Sequence, residues 1–265
     1  MRRSTDGIDE TTAIELRREG VVVRRFADVF SGPGEVFNEL QASVHRRWAE
    51  VKAAGYGADG RKIVSADPAE RKEYRVYLLS QKLALDDLCM RLALDTRLLG
   101  LVSRYLGMRA YLREVMVWWD RPTASPAKET QLWHRDYDDL INLKVFVYLN
   151  DVALDAGPFS FLAGTHPFGS HRALIPEADP NRRMTDEEIG RFIPATDARV
   201  CLGAAGTVVI CDTCGYHRGV KPTLNDRLML ALQYTSGAAS VPRTFELAGR
   251  QSRAPASPQW WALHP

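Results

Sequence analysis

The chain has 265 residues, 45% of them apolar and 26% charged, a globular composition that excludes fibrous and intrinsically disordered classes. Its 35 basic and 33 acidic residues sum to +2, so no basic excess points to nucleic acid or an anionic membrane as partner. Surface scaling allows a chain of this length to bury roughly 73% of its unfolded surface, enough for one substantial core. The expected organisation is therefore one domain over 1–265, taking a small-molecule partner, as monomer or homodimer. Four cysteines, Cys89, Cys201, Cys211 and Cys214, are too few and too scattered for a disulfide framework. Cys211 and Cys214 have C-x₂-C spacing but no second pair, and they lie between apolar strand-like runs. They read as strand cysteines rather than a zinc knuckle or redox pair. No run approaches eighteen apolar residues and the basic N-terminus lacks an apolar h-region, so the expected location is a reducing cytoplasm.

In chain order, residues 9–19 read as a helix with Ile14 and Leu16 apolar, stopped by Gly20, and Val21–Val23 as a short strand. Residues 34–54 carry Val36, Phe37, Leu40, Val44, Trp48 and Val51 at helical spacing. Residues 55–67 read as a loop holding Arg61 and Lys62. From Pro68 to Gly107 the dense apolar positions (Tyr74, Tyr77, Leu78, Leu85, Leu88, Leu92, Leu99) predict two or more helices. The pattern then changes. Strands are predicted over 111–119, 141–150, 158–163, 206–211, 215–220 and 227–235, with a Pro-rich connection over 121–129. A polar insert over 167–199 has the capping-box pattern Thr185-Asp186-Glu187-Glu188 and reads as a lid. Helices first (about 9–107) and then many short strands (about 108–236) imply a β-sandwich or barrel covered by helices. An alternating βαβ fold lacks its helices here.

The chemistry concentrates in three places. His134 and Asp136 form an H-x-D pair whose side chains, on an extended segment, point the same way. His217 follows 81 residues after Asp136 in Gly-Tyr-His-Arg-Gly, and Arg227 opens the last apolar strand ten residues later. Two histidines and one carboxylate with open positions suit non-haem Fe(II) and oxygen chemistry. A guanidinium at the mouth of an apolar strand calls for an anion. H-x-D alone arises readily by chance, and a solvated loop pair is its plain alternative; the distal His and Arg227 are what raise it.

With its flanks the pattern is Leu-Trp-His134-Arg-Asp136, Val145-Phe-Val-Tyr-Leu-Asn-Asp, Gly157-Pro-Phe, Ala163-Gly-Thr-His166, Gly206-Thr-Val-Val, Asp212, His217-Arg-Gly and Arg227. Over about residues 10–236, including the opening Arg-Glu-Gly-Val-Val-Val, it resembles the phytanoyl-CoA hydroxylase-like family of Fe(II)/2-oxoglutarate-dependent oxygenases. The resemblance implies a double-stranded β-helix (jelly roll, cupin-like) core packed by N-terminal helices. It implies iron held by His134, Asp136 and His217, and Arg227 on the distal carboxylate of the cosubstrate 2-oxoglutarate, with O₂ as second cosubstrate and release of succinate and CO₂. Because Asp136 is intact, the family's halide-binding variant is disfavoured. Arg135 departs from the Gln many relatives carry between the ligands.

Further candidates are Lys144 and Thr223 toward the cosubstrate, and Trp133, Arg135 and His166 toward the substrate. Of Trp118 and Trp119, adjacent on one strand, at most one faces the interior. Asp212 reads as a turn-bonding residue. The expected reaction is hydroxylation of a natural-product or amino-acid-like molecule, with epimerisation, ring closure or desaturation as alternatives from the same oxidant. The rival from another class is a non-oxidative cupin-like binding protein or isomerase, which has no need of Arg227.

Overall fold

The computed structural model describes residues 3–32, 34–53, 74–176, 182–194, 197–239, 241–248 and 257–264. Among these, the helices are α1 (Arg3–Glu19), α2 (Phe26–Val29), α3 (Gly34–Ala53), α4 (Leu88–Ala93), α5 (Thr96–Leu106), α6 (Asp186–Ile189) and α7 (Pro258–Leu263). The strands are β1 (Val21–Arg25), β2 (Arg75–Tyr77), β3 (Lys82–Ala84), β4 (Tyr111–Asp120), β5 (Leu143–Tyr148), β6 (Phe159–Leu162), β7 (Ala198–Cys201), β8 (Thr207–Asp212), β9 (His217–Gly219), β10 (Arg227–Thr235) and β11 (Glu246–Ala248). Six strands form an antiparallel sheet in the order β1-β8-β5-β10-β4-β2, and a second sheet has the order β7-β6-β9. The expected jelly-roll sandwich with helical cover is the observed architecture.

Alternation along the strands decides which side chains go where. On the large sheet Val115, Val117 and Trp119 of β4 and Leu228, Leu230 and Leu232 of β10 face outward and pack against α3, α4 and α5. Their alternates Trp118, Met229 and Ala231 face inward and meet Phe159, Phe161 and Cys201 of the small sheet. Tyr148 ties the sheets from inside: its hydroxyl donates to the Cys201 carbonyl at 2.7 Å and accepts from the Phe159 amide at 3.2 Å. The outer helices are well delimited. Asp95 accepts from the amides of Arg97 and Leu98 at the start of α5, and Gly107, at φ +70°, ends it. In α1 Leu16 is buried but Ile14 stands in solvent, a correction to the expected apolar pair.

Two differences from the sequence reading matter. Tyr74, Tyr77 and Leu78, expected on a helical face, belong to β2 and its flanks; β2 adds to the edge of β4, with Val76 opposite Trp119. A three-residue strand is too short for its period to show against dense apolar neighbours. Pro68 and the loop over 55–67, with Arg61 and Lys62, lie outside the described residues. The insert is also less polar in effect than in composition. Thr185 and Glu188 form the expected capping box on α6, but Ile175, Met184, Ile189 and Ile193 are buried with Trp133, Leu162 and Tyr216 in a cluster of their own. Its end, from 198, is strand β7. Residues 177–181 and 195–196 of the insert lie outside the described residues.

Candidate metal centre

Residues 132–136 run extended beside β9. His134 and His217 exchange both backbone hydrogen bonds, 3.0 and 2.9 Å, and the Asp136 amide donates to Thr213 O at 2.8 Å. The bridge brings the imidazoles together, with ring centroids 4.2 Å apart, and the period of two adds Asp136 on the same side. His134 Nδ1 lies 2.9 Å from the Leu132 carbonyl and His217 Nδ1 lies 3.0 Å from the Gly215 carbonyl. A carbonyl only accepts, so each ring carries its proton on Nδ1 and turns the lone pair of Nε2 toward the carboxylate. The Nε2 atoms stand 3.8 Å from Asp136 Oδ1 and 3.7 Å from Oδ2. These separations are too long for hydrogen bonds. They are below the about 4.2 Å that two ligands at about 2.1 Å from a shared ion can span. One nitrogen from each histidine and one carboxylate oxygen thus lie within 4.8 Å of one another.

The electrostatics fit a cation. Burial, with a smaller contribution from His217, pulls the His134 imidazole down to about 3. Burial also lowers His217. Both rings are therefore neutral at ordinary pH, the form that ligates. Burial pushes the Asp136 carboxyl up, but the Lys144 ammonium, 2.9 Å away, is the largest cause acting against it, and the group lies well below the usual carboxylate range. Arg183, from the insert, adds a positive charge that lowers both histidines.

Arg227 is 1% exposed and faces inward at the start of β10, but it does not stand alone. Its Nε and Nη2 donate to Asp120 Oδ2 at 3.2 and 2.6 Å. Asp120 also accepts Arg75 Nε at 2.6 Å and Nη2 at 3.1 Å, and Trp118 Nε1 at 3.0 Å. Burial raises the Asp120 carboxyl, yet the two guanidiniums outweigh burial and keep it ionised. One carboxylate is shared by two guanidiniums, so the cluster carries a net positive charge, and Arg227 Nη1 is buried without a hydrogen-bond partner. Beside it, a Cβ on Gly219 would stand 2.7 Å from Nη2, so glycine leaves the guanidinium its room. Gly219 is two residues from His217 on one strand, about 7 Å. Asp120 leaves one donor nitrogen of Arg227, Nη1, uncommitted rather than the full guanidinium fork.

The other candidates fall elsewhere, for physical reasons. Trp133, one residue from His134, faces the opposite way: it is buried in the insert cluster and donates Nε1–H to Asp186 at 2.8 Å. Arg135, likewise out of phase, is a buried strut whose Nε and Nη2 donate to the carbonyls of Cys214 and Thr165 at 2.5 and 3.0 Å. His166 is wholly buried against α1, with Nε2 3.0 Å from Arg17 O. All three side chains are taken up by contacts within the protein. Thr223 sits in an exposed turn and donates to Asp155 O at 3.3 Å, away from Arg227. Lys144 reaches the centre, but through Asp136 rather than at the distance of Arg227. Trp118 faces in and Trp119 out, and Asp212 binds its turn through the amides of Asn142 and Cys214, as expected. All four cysteines are buried and free. Asp120, Arg75 and Glu114 went unnoticed in the sequence. Asp120 and Glu114 had one signal, namely charged residues at inward positions of a strand whose alternates are apolar.

No protein-family profile matches the chain, and no curated protein sequence does. Solved structures do match. AviO1 from Streptomyces viridochromogenes Tue57 aligns with a TM-score of 0.59 and 17% identity over 88% of this chain and 97% of that one. The epimerase SnoN, in complex with Fe³⁺, α-ketoglutarate and nogalamycin RO, gives 0.59 and 20% over 90% and 88%. EctD from S. alaskensis with bound Fe gives 0.56 and 19% over 96% and 82%. At these identities the likeness establishes the fold: this chain has the jelly-roll fold of non-haem iron, 2-oxoglutarate-dependent enzymes.

Proposed function

We propose that the chain is an Fe(II)- and 2-oxoglutarate-dependent oxygenase that oxidises a small molecule, with hydroxylation in natural-product or amino-acid-like metabolism as its reaction. The observation that carries this reading is the pairing of two sites. A neutral, proton-free Nε2 pair with one carboxylate shares strand β9 with Gly219, two residues from His217, and Gly219 lies beside the buried Arg227, whose Nη1 has no hydrogen-bond partner. In this reading His134, Asp136 and His217 hold the iron and Arg227 Nη1 anchors the distal carboxylate of 2-oxoglutarate. Iron with 2-oxoglutarate and O₂ supplies an oxidant that takes hydrogen from a C–H bond, with succinate and CO₂ released.

The chain's own residues do the rest. Leu132 O and Gly215 O fix the two imidazole tautomers, and Lys144 holds Asp136 in its ionised form. Asp120 aims Arg227, and the apolar inner wall of Trp118, Phe146, Phe159 and Met229 keeps water from the reacting centre. A non-oxidative cupin-like module would need only the Arg227–Asp120 pair and would leave Arg227 Nη1 without a ligand. No helix among the described residues is long and apolar enough to cross a membrane.

The test is anaerobic Fe(II) titration with and without 2-oxoglutarate, followed by the weak visible band of the chelate. The band is expected for the wild type and lost in His134→Ala and His217→Ala. A wild type that binds neither iron nor 2-oxoglutarate refutes the proposal. Product mass then separates hydroxylation, which adds one oxygen, from epimerisation, which adds nothing.

A further inference from the structure

Glu114 is the inward-facing acid that the metal centre and its cosubstrate anchor leave unused. A bulge between β4 and β10 places it there. Gln233 pairs with Glu114 but Tyr234 pairs with Leu112, so Arg113 and Glu114 together occupy one inward step, while Leu112 and Val115 keep to the outer core. Bulges of this kind re-aim side chains beside functional sites. Across the sheet Glu114 is level with Gln233, and Gln233 is level with Lys144. Two strand spacings, about 10 Å, therefore separate Glu114 from the lysine that touches Asp136.

Both of those neighbours are committed elsewhere. The Gln233 amide donates to Asp138 Oδ2 at 2.6 Å and to Asn142 Oδ1 at 2.8 Å, which uses both of its hydrogens. The Lys144 ammonium sits on Asp136 at 2.9 Å. Among the described residues Glu114 has no hydrogen bond or ion pair of its own. Burial raises its pKa; Lys144 and Arg75 act against that, while Asp136 and Asp138 add to it. Glu114 is half-buried, and a carboxylate to which the protein gives no donor leaves its acceptor sites to water or to a ligand that brings one.

Its place along the barrel agrees. Arg227 and Gln233 are six residues apart on β10, about 20 Å. From Arg227 the path to the metal residues runs through Gly219 and His217; from Glu114 it runs through Lys144 and Asp136. Cosubstrate and substrate would then approach the metal from opposite sides.

We propose that Glu114 is the substrate-anchoring residue and that it recognises a cationic nitrogen group, a protonated amine or a guanidinium, on the small molecule oxidised at His134–Asp136–His217. This deepens the oxygenase reading and rests on it.

The experiment uses a matched pair of probes, 1,4-diaminobutane and 1,4-butanediol, which differ in charge but hardly in size. Each is titrated anaerobically by calorimetry into the Fe(II)- and 2-oxoglutarate-loaded protein, wild type and Glu114→Gln, with the chelate band recorded alongside. The wild type should bind the diamine at least about tenfold more tightly than the diol. Glu114→Gln should bring the two within threefold while keeping melting temperature and chelate band. A wild type without that preference, or a preference that survives in Glu114→Gln, overturns the Glu114 assignment and leaves the oxygenase reading standing. Loss of the chelate band in the wild type overturns the oxygenase reading instead. Should the Gln variant fail to fold, Glu114→Asp takes its place: it keeps the charge but draws it back by one methylene, and a diamine preference unchanged within twofold overturns the assignment.

Discussion

Asp120→Asn tests the buried charge cluster on which the proposed cosubstrate anchor depends. In the wild type one carboxylate receives five N–H groups: two from Arg75, two from Arg227 and one from Trp118. Asn has a single acceptor oxygen. Placed at Oδ2 it keeps Trp118 and Arg227, but its amide nitrogen then meets Arg75 Nε where Oδ1 had accepted at 2.6 Å. Placed at Oδ1 it keeps only Arg75 Nε and turns its amide nitrogen against the four donors that Oδ2 had received. Asp120 and Arg227 are each 1% exposed, so water cannot fill the gap. Removing one partner of a buried pair costs about 3 to 5 kcal/mol, and the retained oxygen puts Asn at the lower end, about 3 kcal/mol. In a chain of this size that lowers the melting temperature by roughly 6 to 12 °C. Urea and thermal unfolding of the apo-protein at neutral pH measure it. Adding 2-oxoglutarate should recover more stability in the variant than in the wild type, because the ligand returns the missing negative charge beside two guanidiniums. A loss below about 1 kcal/mol, or equal rescue of both proteins, would refute the reasoning.

Arg227→Ala should weaken 2-oxoglutarate at least about thirtyfold in the anaerobic chelate titration. It should unfold the protein less than Asp120→Asn does, since Asp120 keeps Arg75. A change below threefold with iron binding intact rejects the anchor. Trp133→Phe should cost about 1 kcal/mol through the lost bond to Asp186, read by urea unfolding, while the chelate titration stays within twofold; a large affinity loss would return Trp133 to the site. His166 is lowered from its ordinary value by burial, so the unfolded chain takes up that proton first. The stability this group confers is complete above its unfolded value and is lost as pH falls below it. His166→Gln, which can still donate to Arg17 O, should therefore lose less stability than the wild type between pH 7.5 and 5.5 in urea titrations. An equal or steeper loss would place the titration elsewhere.

Strand period was the most legible feature of this sequence. It placed β10 over Arg227–Thr235, assigned Trp118 and Trp119 to opposite faces and put His134 with Asp136. The same period, applied one residue either way, also disposes of Trp133 and Arg135. Neighbours of two inward ligands on an extended segment must face outward, and adjacency in sequence carried no information about the pocket. The hydrogen-bond partners of two other candidates have a different origin. His166 depends on the Arg17 carbonyl, 149 residues away, and Thr223 on the backbone of Asp155. Such partners are fixed by which loops the fold brings together, and no local pattern encodes them.

The charged inward residues of β4 lie between these cases. Glu114 and Asp120 stand on a strand whose other side packs a hydrophobic core, so their direction was available from alternation up to the bulge. What alternation cannot supply is register. Asp120 meets Arg227 and Glu114 meets Gln233 only because β4 and β10 pair antiparallel with one extra residue at Arg113. Shift that register by two, keeping every face unchanged, and Asp120 would lie opposite Met229, leaving Arg227 without its counter-charge at the mouth of the barrel. Composition and period thus decide that this interior holds charges at both ends of an apolar wall. The register decides that one end is a pair of guanidiniums sharing one carboxylate with a single spare nitrogen and the other a carboxylate to which the protein gives no donor, and in the proposed reading that difference would give the two ends of the site different ligands.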